Sequence, residues 1–203
     1  MNVLDLIRKF EGFRESPYWD VNAYRAGYGS DTTTGEDGSV VRITPGMVID
    51  RASADRDLLR RVGTEFEPIA RRAVGESAWS ALNDGQRAAL TSIAYNYGRI
   101  PDTVSKAVAS GDAGRASSAI AALGSHNGGI NAARRLLEAD LFANGGKADG
   151  AAQSDSNAMV KAPQNSLSIM SVGLDPAAFM RPANALSMVP LSYTRKNYLG
   201  SLS

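Results

Sequence analysis

Cysteine is absent from this 203-residue chain, and histidine occurs once, at position 126. The first absence removes disulfides, thiol nucleophiles and thiolate metal sites, and it leaves the compartment open, because a protein without thiols folds in oxidising or reducing surroundings alike. The second rules out a multi-histidine metal centre, so no metal and no cofactor is expected. A dominant charge is missing too: 22 Lys and Arg stand against 21 Asp and Glu. That balance gives no field that would single out nucleic acid as a partner. Long apolar runs are also lacking. The opening segment Met1 to Phe10 is interrupted by Asp5, which denies it the uncharged core of a signal peptide or membrane anchor, and no membrane span is expected.

What is present begins with periodicity. Val3, Ile7 and Phe10 recur at helical spacing with Leu4 and Leu6 beside them, so the first segment reads as an amphipathic helix that Gly12 can end. Glu11 then stands at the helix C-terminus. From Pro17 to about Val41 the chain is rich in Gly, Tyr, Asp and Thr, with breakers at Gly27, Gly29, Gly35 and Gly38, and this is the one plausible β region. Thr44-Pro45 has the chemistry of a helix start. Beyond it the pattern predicts helices throughout: a strongly apolar one from Gln86 to Gly98, shorter ones around Thr103 to Ala109 and Ala113 to Leu123, and a longer one around Asn131 to Phe142. His126, set among Gly124, Asn127, Gly128 and Gly129, is expected on an exposed loop.

The composition changes after Gly145, where glutamate disappears while half of the 8 prolines and most of the 6 methionines occur. Residues 1–145 are therefore expected to form one domain, 146–164 a flexible linker of small and polar residues, and 165–203 an extension whose scattered apolar residues show no clear period.

Chemistry is concentrated in Phe10-Glu11-Gly12-Phe13-Arg14-Glu15-Ser16-Pro17-Tyr18-Trp19-Asp20, followed by Gly27-Tyr28-Gly29. Two carboxylates lie there in unlike settings. Cleaving a glycosidic bond needs a proton for the leaving oxygen and a second acid to activate water or stabilise a cationic sugar. Glu11, at the negative end of an apolar helix, is expected to hold its proton and to serve as the acid. Asp20, in a polar turn-rich segment, is expected to ionise easily and to act as base or stabiliser. Taken as isolated carboxylates, the two would ordinarily be a surface residue at a helix end and a turn former.

The run as a whole resembles the phage lysozymes of glycoside hydrolase family twenty-four, in which Glu-Gly-x-Arg, Tyr-x-Asp and Gly-Tyr-Gly recur in this order. Here these are Glu11-Gly12-Phe13-Arg14, Tyr18-Trp19-Asp20 and Gly27-Tyr28-Gly29. Later segments agree: Ile43-Thr44 falls where a helix follows the β region, Gln86 to Gly98 looks like the buried central helix, and Ala133-Arg134-Arg135 to Phe142 resembles the closing arginine-bearing helix. The resemblance covers roughly residues 1 to 145. It implies an α+β, lysozyme-like fold with a small N-terminal β-hairpin lobe, a larger mostly helical lobe and a sugar-binding cleft, with Glu11 and Asp20 as the catalytic pair. It also makes Arg134 a candidate orienting partner of Glu11, and Arg25 and Tyr28 candidates for binding or orienting substrate. Arg14 reads as structural, holding the helix end to the β region. Two positions depart from the pattern. Where the family carries a threonine before Gly-Tyr-Gly this chain has Tyr24-Arg25-Ala26, with Arg25 or Ala26 in the slot, and Ser30-Asp31 replaces the usual histidine.

The implied substrate is bacterial peptidoglycan, cut at the β-1,4 bond between N-acetylmuramic acid and N-acetylglucosamine. A lytic transglycosylase, with Glu11 working nearly alone, is the first alternative. The second is a virion-associated protein of weak activity whose residues 165–203 dock on other phage structural proteins. A protein of this kind lacking a signal peptide is expected to be made in the host cytoplasm and to reach the cell wall by holin-type release or virion delivery.

Overall fold

Asn2 caps the first helix, α1 (Val3–Glu11), by accepting a hydrogen bond from the Asp5 amide at 3.0 Å. In the computed structural model, which describes residues 1–145, the helix stops where its sequence says it should. Gly12 turns to φ +65° while its amide still reaches the Arg8 carbonyl, and Glu11 is left as the last helical residue. The β region follows as two antiparallel hairpins, β1 (Arg14–Asp20) with β2 (Ala23–Gly27) and β3 (Thr32–Thr34) with β4 (Val40–Arg42). Around the first tip the register pairs Tyr18 with Arg25, Trp19 with Tyr24 and Asp20 with Ala23. Opposed residues share a face and successive ones alternate, so Tyr18, Asp20 and Arg25 point one way while Trp19 and Tyr24 meet edge to face on the other.

The expected helix start at Thr44-Pro45 is corrected by the structure. Residues 44–47 make only a turn, because Gly46 adopts φ +83°, which no right-handed helix accommodates. The helix begins at Arg51, where Asp50 accepts from the Ser53 amide at 2.7 Å. This α2 (Arg51–Arg61) runs through a π-helical turn at Val62–Phe66 into α3 (Glu67–Val74), and α4 (Glu76–Ala81) follows. The apolar segment read from sequence is α5 (Asp84–Tyr97), opened by a reciprocal Asn83/Gln86 capping box and closed by a left-handed Gly98. Then come α6 (Asp102–Ala109), α7 (Ala113–Ala122), a short 3₁₀ segment at Leu123–Gly129, and α8 (Ala132–Asn144). These agree with the sequence expectations to within a residue or two. The expected linker and extension, 146–164 and 165–203, lie outside the described residues.

Two apolar cores result. Leu6, Trp79, Leu90, Ile93, Val104 and Phe142 belong to the helical core, whereas Ile7, Tyr28, Ile43, Ile49 and Leu58 belong to a smaller core beneath the hairpins. The close approach of β2 to α2 explains one glycine. A β-carbon at Gly27 would lie 3.0 Å from that of Ala54, and the residue sits at φ +60°. Among the described residues, no helix is long and apolar enough to cross a membrane.

Candidate active site

Glu11 leaves the end of α1 with its side chain 11% exposed, and its Oε1 accepts from Nη1 of Arg134 at 2.6 Å. Arg134 comes from α8, 123 residues later. It is not a solvated helix charge: its side chain is 2% exposed. Every side of its guanidinium is used. Nε donates to Glu138 Oε1 at 3.1 Å, and Nη2 donates to the Ser92 carbonyl at 3.1 Å and hydroxyl at 3.0 Å. Burial works to lower the Arg134 pKa, but Glu11 and Glu138 outweigh it and the net shift is upward. The arginine is a permanent cation aimed at Glu11.

Behind this pair, Glu138 is wholly buried, and its Oε1 also accepts from the Ser92 hydroxyl at 2.6 Å. Burial pushes its carboxyl above the ordinary carboxylate range, against the pull of Arg135 and Arg134. Arg135 lies 2.9 Å from Glu138 Oε2 without the alignment of a hydrogen bond. Its Nη2 donates to Asn96 at 3.1 Å. Ser92, Arg135 and Glu138 were not singled out as site residues from sequence, because a helix bearing Arg-Arg and a Glu three and four residues on looks like an ordinary exposed face.

Asp20 also stands at 11% exposure, paired with Arg25: Nε of the arginine donates to Oδ2 at 2.8 Å. Nη1 of the same guanidinium donates to the Gly29 carbonyl at 3.3 Å. Gly29 in turn borders Glu11, since a β-carbon placed on it would lie 3.9 Å from Oε2. Gly29 thus links the two acids in space, bonded to the arginine that holds Asp20 and bordered by the side chain of Glu11. Of the two candidates for the threonine slot, Arg25 is the one that reaches Asp20, while Ala26 is fully buried. The second oxygen of Asp20, Oδ1, is shielded from solvent and has no partner. Tyr18, which the sequence marked only as part of the Tyr-x-Asp run, feels both carboxylates: burial, Asp20 and Glu11 raise its pKa against Arg14 and Arg25.

Three side chains serve otherwise than expected. Tyr28 is buried in the smaller core, with its phenol beside the Arg8–Asp55 pair, where burial and Asp55 raise its pKa against Arg8, and its carbonyl accepts from Tyr95 at 2.6 Å. Tyr28 therefore braces the hairpin and does not face the carboxylates. Arg14 stays within its own strand, 4.7 Å above the Tyr18 ring, where it covers the aromatic face and does not clamp α1. His126 is half-buried, and its Nδ1 lies 3.3 Å from the Tyr97 hydroxyl. A groove of about 560 Å³ opens elsewhere, between Val74, Leu82, Val108, Ala116 and Phe142, and none of the carboxylates or arginines above lines it.

The family profile described as phage lysozyme matches residues 8–138, a span that takes in Glu11, Asp20, Arg25 and Arg134. The chain belongs to the phage lysozyme family. Its members are glycoside hydrolases, and this lysozyme-family chain is accordingly a peptidoglycan-lytic enzyme. Solved structures agree on the fold. A variant of the lysozyme of phage P22 superposes with a TM-score of 0.54 at 22% identity, over 70% of this chain and 98% of that one. The active form of the P1 phage endolysin Lyz does so with a TM-score of 0.51 at 21% identity, over 70% and 83%. No curated protein matches the chain in sequence.

Proposed function

We propose that this lysozyme-family chain hydrolyses the β-1,4 bond between N-acetylmuramic acid and N-acetylglucosamine, with Glu11 as proton donor and Asp20 as the second carboxylate. The observation that carries the reading is the opposite tethering of the two acids. Arg134 holds Glu11 by Oε1, leaving Oε2 toward Gly29, and Arg25 holds Asp20 by Oδ2 while donating to the carbonyl of the same glycine. A proton delivered from Oε2 to the bridging oxygen breaks the glycosidic bond, and the carboxylate of Asp20 stabilises the positive charge on the sugar or directs water to it.

Arg25 also favours a second reading. A carboxylate already neutralised at Oδ2 and closed off at Oδ1 is a poor base for water. In a lytic transglycosylase Glu11 would act nearly alone and a hydroxyl of the substrate would displace the leaving sugar. Product analysis separates the two: reducing ends mark the hydrolase, anhydro-muramic ends the transglycosylase. On either reading the enzyme works at the cell wall, reached from the host cytoplasm by holin-type release or virion delivery. Deleting residues 146–203 tests whether that part of the chain serves docking to phage structural proteins, because particle incorporation would then fall while lysis by the free enzyme persisted.

The decisive assay is turbidity clearing of purified cell walls. Glu11→Gln should lower turnover by about 10²- to 10⁴-fold, the range of one lost general acid, with the fold unchanged by circular dichroism. Asp20→Asn should lower it less. A folded Glu11→Gln variant with wild-type clearing would refute the mechanism.

A further inference from the structure

We infer that Glu138 and Ser92 are positioning residues for Glu11, acting through Arg134. The inference rests on the reading of Glu11 as proton donor. A guanidinium is a rigid planar fork, so fixing two of its nitrogens fixes the direction of the third. In Arg134 the two fixed nitrogens are Nε, bonded to Glu138, and Nη2, bonded twice to Ser92. The Ser92 hydroxyl closes the ring of contacts by donating to the Glu138 oxygen that Nε uses, at 2.6 Å. The remaining nitrogen, Nη1, is aimed at Glu11 Oε1. Three helices meet in this knot: α1 brings Glu11, α5 brings Ser92 and α8 brings Arg134 and Glu138.

The composition of the knot points the same way. Two arginines and a glutamate with 2%, 0% and 0% exposure are costly to desolvate, and apolar residues of similar volume would hold the helices as firmly. Alignment is also incomplete, since Glu138 Oε2 and both Nε and Nη1 of Arg135 lack hydrogen bonds. What this arrangement supplies that an apolar core would not is direction. It presents one charged donor to Glu11 Oε1 and leaves Oε2 toward Gly29.

The charged and titratable groups around Glu11 are Arg134, with Arg135 and Glu138 behind it on α8, Tyr95 on α5, and Tyr18, Asp20 and Arg25 on the first hairpin. In Glu138→Gln, kcat on peptidoglycan is expected to fall roughly 10²-fold with KM within twofold, as for a misaimed catalytic group. A purely structural role would lower only the amount of folded enzyme and leave kcat per folded molecule in place, so a folded Glu138→Gln variant with wild-type kcat overturns the inference. If that variant does not fold, Ser92→Ala decides, because it keeps every charge and removes one hydroxyl. It should lower kcat roughly tenfold, a loss equivalent to one hydrogen bond, and wild-type turnover in it overturns the inference. Glu11→Gln is assayed alongside. Wild-type turnover there means that the donor assignment has failed, whereas an inactive Glu11→Gln beside an unaffected Glu138→Gln removes the positioning role alone.

Discussion

Two buried carboxylates anchor the two parts of this molecule, and they are built differently. Under the hairpins, Asp57 of α2 accepts from the hydroxyls of Ser30, Thr32 and Thr34 at 2.6 to 3.2 Å and from Arg60 Nη2 at 2.8 Å. Both of its oxygens are satisfied, mostly by small neutral donors on or beside β3. Under the helical core, Glu138 faces two arginines, and one of its oxygens has no aligned donor. The hydroxyl-rich node fastens a hairpin to a helix and runs out to the surface through Arg60 and Arg61, which both pair with the partly exposed Glu65. The arginine-rich node continues through Arg134 to Glu11. Where a buried charge only has to hold backbone in place, hydroxyls do so at lower desolvation cost; a pair of buried arginines has a reason to persist when one of them must project a charge.

The comparison can be broken most readily at Arg134. Arg134→Met should cost about 3–5 kcal/mol, because two nearly buried carboxylates lose their shared partner. Urea unfolding at pH 7 measures this, and activity should fall with it even in the folded fraction. A loss under about 1 kcal/mol would mean that water already screens the knot. Asp57→Ala should come second, at about 2–3 kcal/mol for hydrogen bonds to a charged group. Turnover per folded molecule should stay near wild type in that variant; its disappearance would place Asp57 in the catalytic machinery.

The smallest effect sharpens the contrast through pH. Asp50, the fully exposed cap of the helix that carries Asp57, has its pKa lowered by the Ser53 amide that bonds it. A depressed folded-state pKa contributes stability above the unfolded value, near 3.8, and loses it as the pH falls through the folded one. Asp50→Ala should therefore lower the melting temperature by a few degrees, roughly, at pH 7, with the gap to wild type narrowing below pH 3.8. A gap that stayed constant down to pH 2 would show that the cap works without its charge.

How far these features could be read in advance depends on how local their causes are. Gly12 ending α1, the run of α5 up to Gly98 and the bounds of α6 and α7 follow from spacing and caps within a few residues, and all were legible. The start of α2 was misread because Thr44-Pro45 carries the chemistry of a cap, while Gly46 withholds the dihedral angles and Asp50 supplies the real one. The pairing of Glu11 with Arg134 was raised by resemblance, since nothing local links residues 123 apart. Burial of Arg135 and Glu138 had no local signal at all, for it depends on Ser92, 46 residues before Glu138. Arg25 illustrates the intermediate case. Its slot could be narrowed to two positions, and the hairpin register then put it on the face of Asp20.

Helix α1 has a further property with consequences for evolution and engineering. Its neighbouring residues Leu6 and Ile7 are both fully buried, yet they face different cores, and the same helix ends in Glu11. Inserting one residue between Asn2 and Asp5 would turn the side chains that precede it by about 100° relative to those that follow, unhooking the capping asparagine from the Asp5 amide. Inserting one after Ile7 would instead swing Glu11 out of reach of Arg134 and carry Phe10 off the helical core, while Leu6 and Ile7 stayed in place. The nine residues of this helix therefore have a fixed reading frame, and gene fusions or linkers belong ahead of Asn2, where no such phase has to be kept.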